Sequence, residues 1–260
     1  METSPDPWIG ALRRSHDRLQ GLVGPLGLDQ LEQRSYASEW SIAQVLSHLG
    51  SGAEIFGLFL DAGLTGHAPP GREVFGPIWN TWNAKEPRAQ ATDGLRADAV
   101  TVERFESFDP DQKARLRLQV FGMDMGTTGL ARMRVSEHAI HTWDVAVALD
   151  PSATVAPDAV GLLIDTVGQL AARSAQPDGK QRRLLVSTTD PERHFILETG
   201  DAVSLTEADG SDASDGLPEL RLPAEAFVRL VYGRLGPHHT PPVQADGVDL
   251  DDLRSIFPGF

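Results

Sequence analysis

The sequence predicts an α+β protein in which a helical bundle is followed by a small α+β domain. Apolar residues recur at three- and four-residue spacing through the first two thirds of the 260-residue chain, a pattern typical of amphipathic helices. After Gly179 short β-branched and aromatic runs alternate with turn residues, which indicates strands. The length allows two domains, each with its own core. We therefore expect a bundle over residues 1–175 and an α+β domain over residues 180–260.

Four helices are expected to form the bundle. The second one opens with Ser41 and Gln44, the capping-box pair whose side chains satisfy opposite backbone donors. The segment Phe121–Gly126 lacks the spacing of a phosphate-binding loop and is interpreted as a flexible start of the fourth helix. The four predicted helices span about Trp8–Leu22, Ser41–Leu60, Gln90–Phe105 and Thr127–Asp150. One more helix is expected after Pro157, which suits a first helical position, up to about Arg173.

The second domain combines short strands with two helices. Residues 183–189 and 194–199 form an expected strand pair, because Asp190-Pro191-Glu192 between them is turn material. Residues 202–206 and 219–222 are two further candidate strands, joined by the polar stretch 211–216. Pro223 opens a predicted helix that ends at Gly236-Pro237, and a last helix is expected over residues 249–256.

Composition excludes several classes of function. The chain contains no cysteine, which excludes a disulfide framework, a thiolate metal site and a cysteine nucleophile. Its formal net charge of −14 argues against a nucleic-acid partner. No apolar run approaches the roughly 20 residues that cross a bilayer, and the N-terminus lacks the pattern of a secretory signal. We therefore expect a cytoplasmic protein without a membrane span.

The strongest local signal is the segment Arg134–Asp144, RVSEHAIHTWD. Glu137 and His141 lie about 40° apart on one helix face, so both side chains can reach one divalent ion. A carboxylate and a neutral imidazole are ligands suited to zinc. The polar side chains on this face of the helix are equally compatible with an ordinary face exposed to solvent. Asp144 then either orients His141 or makes a surface ion pair, and Arg134 either neutralises a buried acid or is solvated.

His48 is the candidate for a third ligand. It lies at the margin of the apolar face of the second helix, beside Val45 and Leu49. A histidine at such a margin is compatible with a hydrogen-bonded core residue. It also suits the third ligand that a Glu/His pair on a neighbouring helix needs for a three-ligand site with an open position.

Two motifs together resemble a known family. Trp40-Ser41 followed by Leu46–Leu49, LSHL, and the later Arg134–Asp144 segment are similar to the paired motifs of the mycothiol-dependent maleylpyruvate isomerase family. The resemblance covers most of the chain. It implies an N-terminal DinB-like four-helix bundle, which binds metal, followed by a small C-terminal α+β domain.

The resemblance also implies residue roles and a reaction. His48, Glu137 and His141 match the residues that hold a divalent metal, usually zinc, and Arg234 matches an arginine that reaches the active site. Mycothiol is the implied thiol cosubstrate, bound at the open metal position and added to a small electrophilic substrate. Addition, rotation and elimination give cis–trans isomerisation, whereas retention of the adduct gives S-transfer. A non-catalytic member of the fold, with a structural or empty metal site, is the alternative, and the oligomeric state stays open.

Overall fold

The computed structural model describes residues 4–37, 39–208 and 216–259. The chain divides into two compact units, Met1–Ala153 and Thr154–Phe260. The first is helical apart from a two-stranded hairpin, and the second combines a five-stranded mixed sheet with helices, as far as the described residues show. The expected α+β class is therefore confirmed.

The boundary between the units lies earlier than the sequence indicates. The expected boundary falls between residues 175 and 180, which would leave the helical residues 158–173 in the bundle. In the structure these residues form α8 (Pro157–Leu163) and α9 (Val167–Ser174) and belong to the C-terminal unit. The close packing of α9 on the sheet explains this assignment, since a Cβ at Gly168 would lie 2.6 Å from the Leu205 carbonyl oxygen.

The N-terminal unit is built on four long helices. Its helices in the described residues are α1 (Asp6–Val23), α2 (Leu28–Glu32), α3 (Ile42–Thr65), α4 (Phe75–Asn83), α5 (Pro87–Glu106), α6 (Pro110–Arg115) and α7 (Thr127–Leu149). The four predicted helices correspond to α1, α3, α5 and α7. The capping box is confirmed: Gln44 N donates to Ser41 Oγ over 3.2 Å, and Ser41 N donates to Gln44 Oε1 over 2.8 Å. The short helices α2, α4 and α6 are additions to the prediction.

A hairpin precedes α7, so the prediction of a flexible helix start over Phe121–Gly126 is wrong. Strand β1 (Arg117–Val120) pairs antiparallel with β2 (Met123–Gly126). Phe121 and Gly122 form the two-residue turn, with φ of 50° and 78°. Two positive φ values suit the hairpin twist, but phenylalanine is unusual in this conformation, so Phe-Gly is not one of the usual sequence signals for a tight hairpin turn.

The C-terminal unit carries the mixed sheet. Its strands are β3 (Arg182–Thr189), β4 (Arg193–Thr199), β5 (Ser204–Glu207), β6 (Glu219–Pro223) and β7 (Gln244–Asp246). Their order is β5-β4-β3-β6-β7, with β3 and β6 parallel and the other neighbours antiparallel. The expected pair β3–β4 is confirmed, whereas β7 was not predicted. Of the expected connection 211–216, residues 211–215 lie outside the described residues.

Two helices in addition to α8 and α9 belong to the described part of this unit. Helix α10 (Ala224–Val231) begins after Pro223 as expected but ends before Gly236, and α11 (Leu250–Ile256) matches the predicted last helix. Gly233, with φ of 68°, leads the chain away from α10. Across the described part of the chain, no helix is both long and apolar enough to span a bilayer.

Candidate metal centre

Three potential metal ligands from two helices converge in the N-terminal unit. His48 projects from α3, and Glu137 and His141 project from α7. His48 Nε2 lies 3.2 Å from Glu137 Oε2, and His141 Nε2 lies 3.7 Å from the same oxygen. One ligand-type atom from each of the three residues lies within 4.8 Å of the others. The structure therefore brings the three predicted ligands together.

The group is open to solvent on one side. The side chains of His48 and Glu137 are 34% and 43% exposed, whereas that of His141 is 9% exposed. The indole of Trp40 lies beside both imidazoles, with ring centroids 4.9 Å from His48 and 5.9 Å from His141. An aromatic wall therefore borders a partly accessible pair of histidines.

Asp144 fixes the orientation of His141. The Nδ1–H of His141 faces Asp144 Oδ2 over 2.9 Å, and Asp144 is fully buried. A proton held on Nδ1 leaves the Nε2 lone pair directed toward Glu137, the arrangement common for metal-binding histidines. Of the two interpretations of Asp144, the orienting role fits, and the surface ion pair is wrong.

The ionisation states suit metal binding. Partial burial by itself would raise the pKa of Glu137, but the hydrogen bond with His48, the nearby His141 imidazole and the Arg134 guanidinium lower it to about 2. Burial lowers the pKa of His48, although Glu137 acts in the opposite direction. At neutral pH the group therefore offers a carboxylate and a largely neutral His48 imidazole, the forms that bind metal.

The donor set and its spacing fit a divalent ion. Ligand bonds of 2.0–2.1 Å in a tetrahedral zinc site place neighbouring ligand atoms about 3.3 Å apart. The separations of 3.2 and 3.7 Å around Glu137 Oε2 bracket that value. The lone pair of His141 Nε2 faces the Glu137 carboxylate, so two electron-rich groups lie close together. A cation between the three donors would relieve this repulsion. Three protein ligands leave a fourth position for an exogenous ligand.

Comparison with known proteins places this unit in a family. Residues 12–146, just over half of the chain, match the family model described as mycothiol maleylpyruvate isomerase N-terminal domain. The chain belongs to this family. The resemblance seen in the two sequence motifs is thereby confirmed.

Two solved structures share the fold of this family member. One is the crystal structure of the mycothiol-dependent maleylpyruvate isomerase, and the other is a histidine-to-alanine mutant of that enzyme. Each matches with a TM-score of 0.68 and 14% sequence identity, over 94% of this chain and 93% of that chain. At this identity the match concerns the fold. No curated protein sequence matches the chain.

A second group with metal-ligand side chains lies in the bundle interior. His16 on α1, Asp98 on α5 and His138 on α7 are all buried, and their ligand-type atoms also lie within 4.8 Å of one another. His16 Nδ1 and His138 Nε2 contact the same oxygen, Asp98 Oδ2, over 2.6 and 2.8 Å. Arg134 Nη2 donates to the other oxygen, Asp98 Oδ1, over 2.8 Å. These three residues are thus a second, buried candidate metal-binding group.

The geometry favours hydrogen bonding at this second group. The nitrogen–oxygen distances of 2.6 and 2.8 Å are shorter than the separation of about 3.3 Å between two ligands of one tetrahedral ion. The Arg134 cation already balances the Asp98 charge. Burial raises the pKa of Asp98, yet His138, His16 and Arg134 together hold it well below its usual value. Arg134 therefore neutralises a buried acid, and the solvated-face interpretation of the α7 stripe is wrong.

The sequence contains one signal for this second group. Asp98 falls within the apolar stripe of Leu95, Val102 and Phe105 on α5, where an isolated carboxylate requires a buried partner. Its partners His16 and Arg134 come from other helices, so their pairing with Asp98 has no local signature.

Arg234 lies in the C-terminal unit, after α10. Its Nη1 donates to the Tyr232 carbonyl oxygen over 3.0 Å, and Gly233 between them has φ of 68°. The side chain is partly exposed. Its catalytic role remains a prediction.

Proposed function

We propose that this protein is a metal- and mycothiol-dependent enzyme of the maleylpyruvate isomerase type. The observation that carries the proposal is the convergence of His48, Glu137 and His141 at a partly open position. Membership of the family and the fold shared with a mycothiol-dependent maleylpyruvate isomerase support it. The absence of cysteine is consistent with sulfur supplied by a small thiol.

Each residue of the site has a defined task in this proposal. Glu137 supplies the negative charge, and His48 and His141 supply nitrogen donors. Asp144 holds His141 in the required tautomer. Trp40 shields one side of both imidazoles from water. These three residues would hold a divalent ion, expected to be zinc, which would supply the Lewis acidity that favours the deprotonated form of an incoming thiol.

The proposed substrate is a small electrophile, such as an electron-poor alkene. Addition of the thiol sulfur to one alkene carbon makes the former double bond a rotatable single bond. Loss of the sulfur after rotation gives the geometric isomer and returns the thiol. If the neighbouring carbon instead takes up the proton that the thiol lost, the carbon–sulfur bond is retained, and the outcome is S-transfer; displacement of a leaving group by the sulfur gives S-transfer as well. We assign Arg234 a role in binding a substrate carboxylate or part of the thiol, since guanidinium pairs with carboxylate in a bidentate manner.

The test combines metal analysis with a thiol-dependent assay. We expect one equivalent of divalent metal in the purified protein, and turnover of maleylpyruvate or another electrophile with mycothiol but not with glutathione or bacillithiol. Replacement of His48 by alanine is expected to abolish both metal and turnover. A metal-free wild-type protein, or metal and activity retained in His48→Ala, would contradict the proposal.

A matched variant separates the two groups of potential ligands. His16→Ala removes one histidine from the buried group and leaves His48, Glu137 and His141 unchanged. We expect this variant to keep its metal. Loss of metal in His16→Ala with retention in His48→Ala would instead place the ion at Asp98. Stoichiometric metal without turnover of any electrophile would support a non-catalytic role.

A further inference from the structure

We propose that Arg134 and Asp98 form a positioning unit that sets the spacing of α3 and α7 and thereby the geometry of the metal ligands. The inference rests on the proposed function, because it takes His48, Glu137 and His141 as the ligands. Neither Arg134 nor Asp98 belongs to that ligand group. Both act through the helices that carry it.

Arg134 connects the two ligand-bearing helices directly. It is 1% exposed and lies one turn before Glu137 on α7. Its Nη2 donates to the carbonyl oxygen of Leu49, the residue after His48, over 2.9 Å. The guanidinium carbon lies 5.6 Å from the centroid of the Phe56 ring, also on α3. One side chain therefore spans from the turn below Glu137 to the backbone beside His48.

Asp98 holds the Arg134 guanidinium in place. Nη2, the atom that reaches Leu49, also donates to Asp98 Oδ1 over 2.8 Å. The second oxygen of Asp98 contacts His16 of α1 and His138 of α7. His138 Nδ1 in turn contacts Ser15 Oγ of α1 over 2.8 Å. The carboxylate thus links α1, α5 and α7, and Arg134 extends the link to α3.

The position of Gly52 is consistent with this arrangement. A Cβ at Gly52 on α3 would lie 3.0 Å from Arg134 Nη1. The guanidinium therefore lies tightly against α3 one turn beyond His48, where a larger residue would press on it. The contact adds to the Leu49 hydrogen bond in defining the distance between α3 and α7.

The alternative is that the network only stabilises the bundle. In that case its loss would lower the melting temperature without changing the metal site of the folded protein. A positioning role predicts a changed coordination geometry in protein that is still folded. Outer residues that orient metal ligands typically contribute 10–100-fold to metal affinity, and we expect a loss of about that size.

The experiment measures Co²⁺ binding and the Co²⁺ absorption spectrum in three variants. Asp98→Asn removes the carboxylate charge, and Arg134→Met removes the guanidinium. The double variant Arg134→Met/Asp98→Asn removes both and so avoids a single uncompensated buried charge. Leu60→Ala is the control: Leu60 is fully buried and lies about 18 Å along α3 from His48, so it lowers stability away from the site.

We expect weaker Co²⁺ binding, by roughly 10–100-fold, and an altered spectrum in folded Arg134→Met/Asp98→Asn. Leu60→Ala is expected to melt earlier with an unchanged spectrum and affinity. Affinity within twofold of wild type and an unchanged spectrum in the folded double variant would overturn the positioning role.

A metal-free readout keeps this inference separate from the proposed function. If the wild-type protein binds no Co²⁺, the proposed function fails, and a crystal structure of the double variant then tests the positioning unit. We expect the His48 Nε2–Glu137 Oε2 separation to depart from 3.2 Å by an ångström or more. An unchanged separation would overturn the inference.

Discussion

His141 depends on a buried carboxylate for its orientation. Asp144 is fully buried and 2.9 Å from His141 Nδ1, and a carboxylate that accepts the Nδ1–H fixes the tautomer and the ring orientation of the imidazole. In Asp144→Asn a neutral amide replaces that carboxylate. We expect metal affinity to fall by roughly 10–100-fold, measured by competition with a chelator of known affinity.

Asp150→Asn is the matched control for this prediction. Asp150 follows the same helix, α7, and its carboxylate accepts hydrogen bonds from Ser152. The substitution removes the same charge from the molecule away from the histidines. Equal affinity in Asp144→Asn and Asp150→Asn would show that Asp144 does not tune His141.

Asp178 provides a pH-dependent prediction outside the metal centre. Hydrogen bonds from Arg182 and the Lys180 backbone lower the pKa of Asp178 to about 2. Because this pKa is lower in the folded state than the unfolded value of about 3.9, the ion pair stabilises the fold above about pH 3.9. That contribution is lost as the pH falls from about 3.9 to about 2.

The measurement is an NMR titration of the Asp178 carboxyl carbon. We expect a midpoint near 2 in the wild-type protein and a higher midpoint in Arg182→Gln, still below about 3.9 because the hydrogen bond from the Lys180 backbone remains. The neighbouring charges are Arg182, Lys180 and Asp252, which also pairs with Arg182. A midpoint near 3.9 in both proteins would show that the pair does not form in solution.

The sequence predicts the group of His48, Glu137 and His141 better than it predicts the buried network around Asp98 and Arg134. Glu137 and His141 share one helix face, so their proximity follows from helical geometry alone. Predicting that His48 joins them required a second motif, because no local feature of the sequence places α3 against α7. The Asp98–Arg134 pair joins positions that are distant in sequence, and only the packed bundle shows it.

At the scale of elements, a close approach of α3 and α5 depends on Gly94. A Cβ at this position would lie 2.5 Å from the Leu46 carbonyl oxygen, two residues before His48. Because backbone cannot move aside as a side-chain end can, Gly94→Ala is expected to separate the helices and lower the free energy of unfolding by about 1–3 kcal/mol. Urea denaturation measures this change.

Gly57→Ala tests whether the loss of stability in Gly94→Ala comes from the contact of the added Cβ with the Leu46 carbonyl oxygen. Gly57 also lies within α3, but a Cβ there meets no atom within 4 Å. Alanine is favoured over glycine inside a helix, so we expect this variant to be more stable by about 0.5–1 kcal/mol. A Gly94→Ala protein that is as stable as Gly57→Ala would refute the proposed helix contact.

The long elements were predictable because their periodicity extends over many turns. Helices α1, α3 and α5 each repeat the apolar pattern, the Ser41 capping box marks the start of α3, and Pro151 marks the end of α7. The short helices are too brief to show such a repeat. The hairpin was missed because Phe121 adopts a conformation that usually belongs to glycine or asparagine.

For the whole molecule, the division between the compact units falls after Ala153, earlier than the change of sequence pattern near Gly179 indicates. The residues of α8 and α9 have the same helical pattern as the bundle. The pattern changes to β-branched and aromatic runs only at the first strand of the mixed sheet. Tertiary packing assigns α9 to the C-terminal unit, since this helix lies against β5 at Gly168. The local spacing of apolar residues therefore indicates where helix changes to strand, but it does not indicate the boundary between the compact units.

The composition of the whole chain makes thiol binding directly observable. The protein contains no cysteine, so any thiolate bound to a metal at the proposed site must come from the solution. With Co²⁺ in place of the native ion, we expect added mycothiol to produce a sulfur-to-cobalt charge-transfer absorption that saturates at one equivalent. Metal-bound thiols are deprotonated, so binding should also release a proton. His48→Ala should show neither signal, whereas His16→Ala should show both. A Co²⁺ protein whose spectrum does not respond to mycothiol would argue that the open position does not receive this thiol.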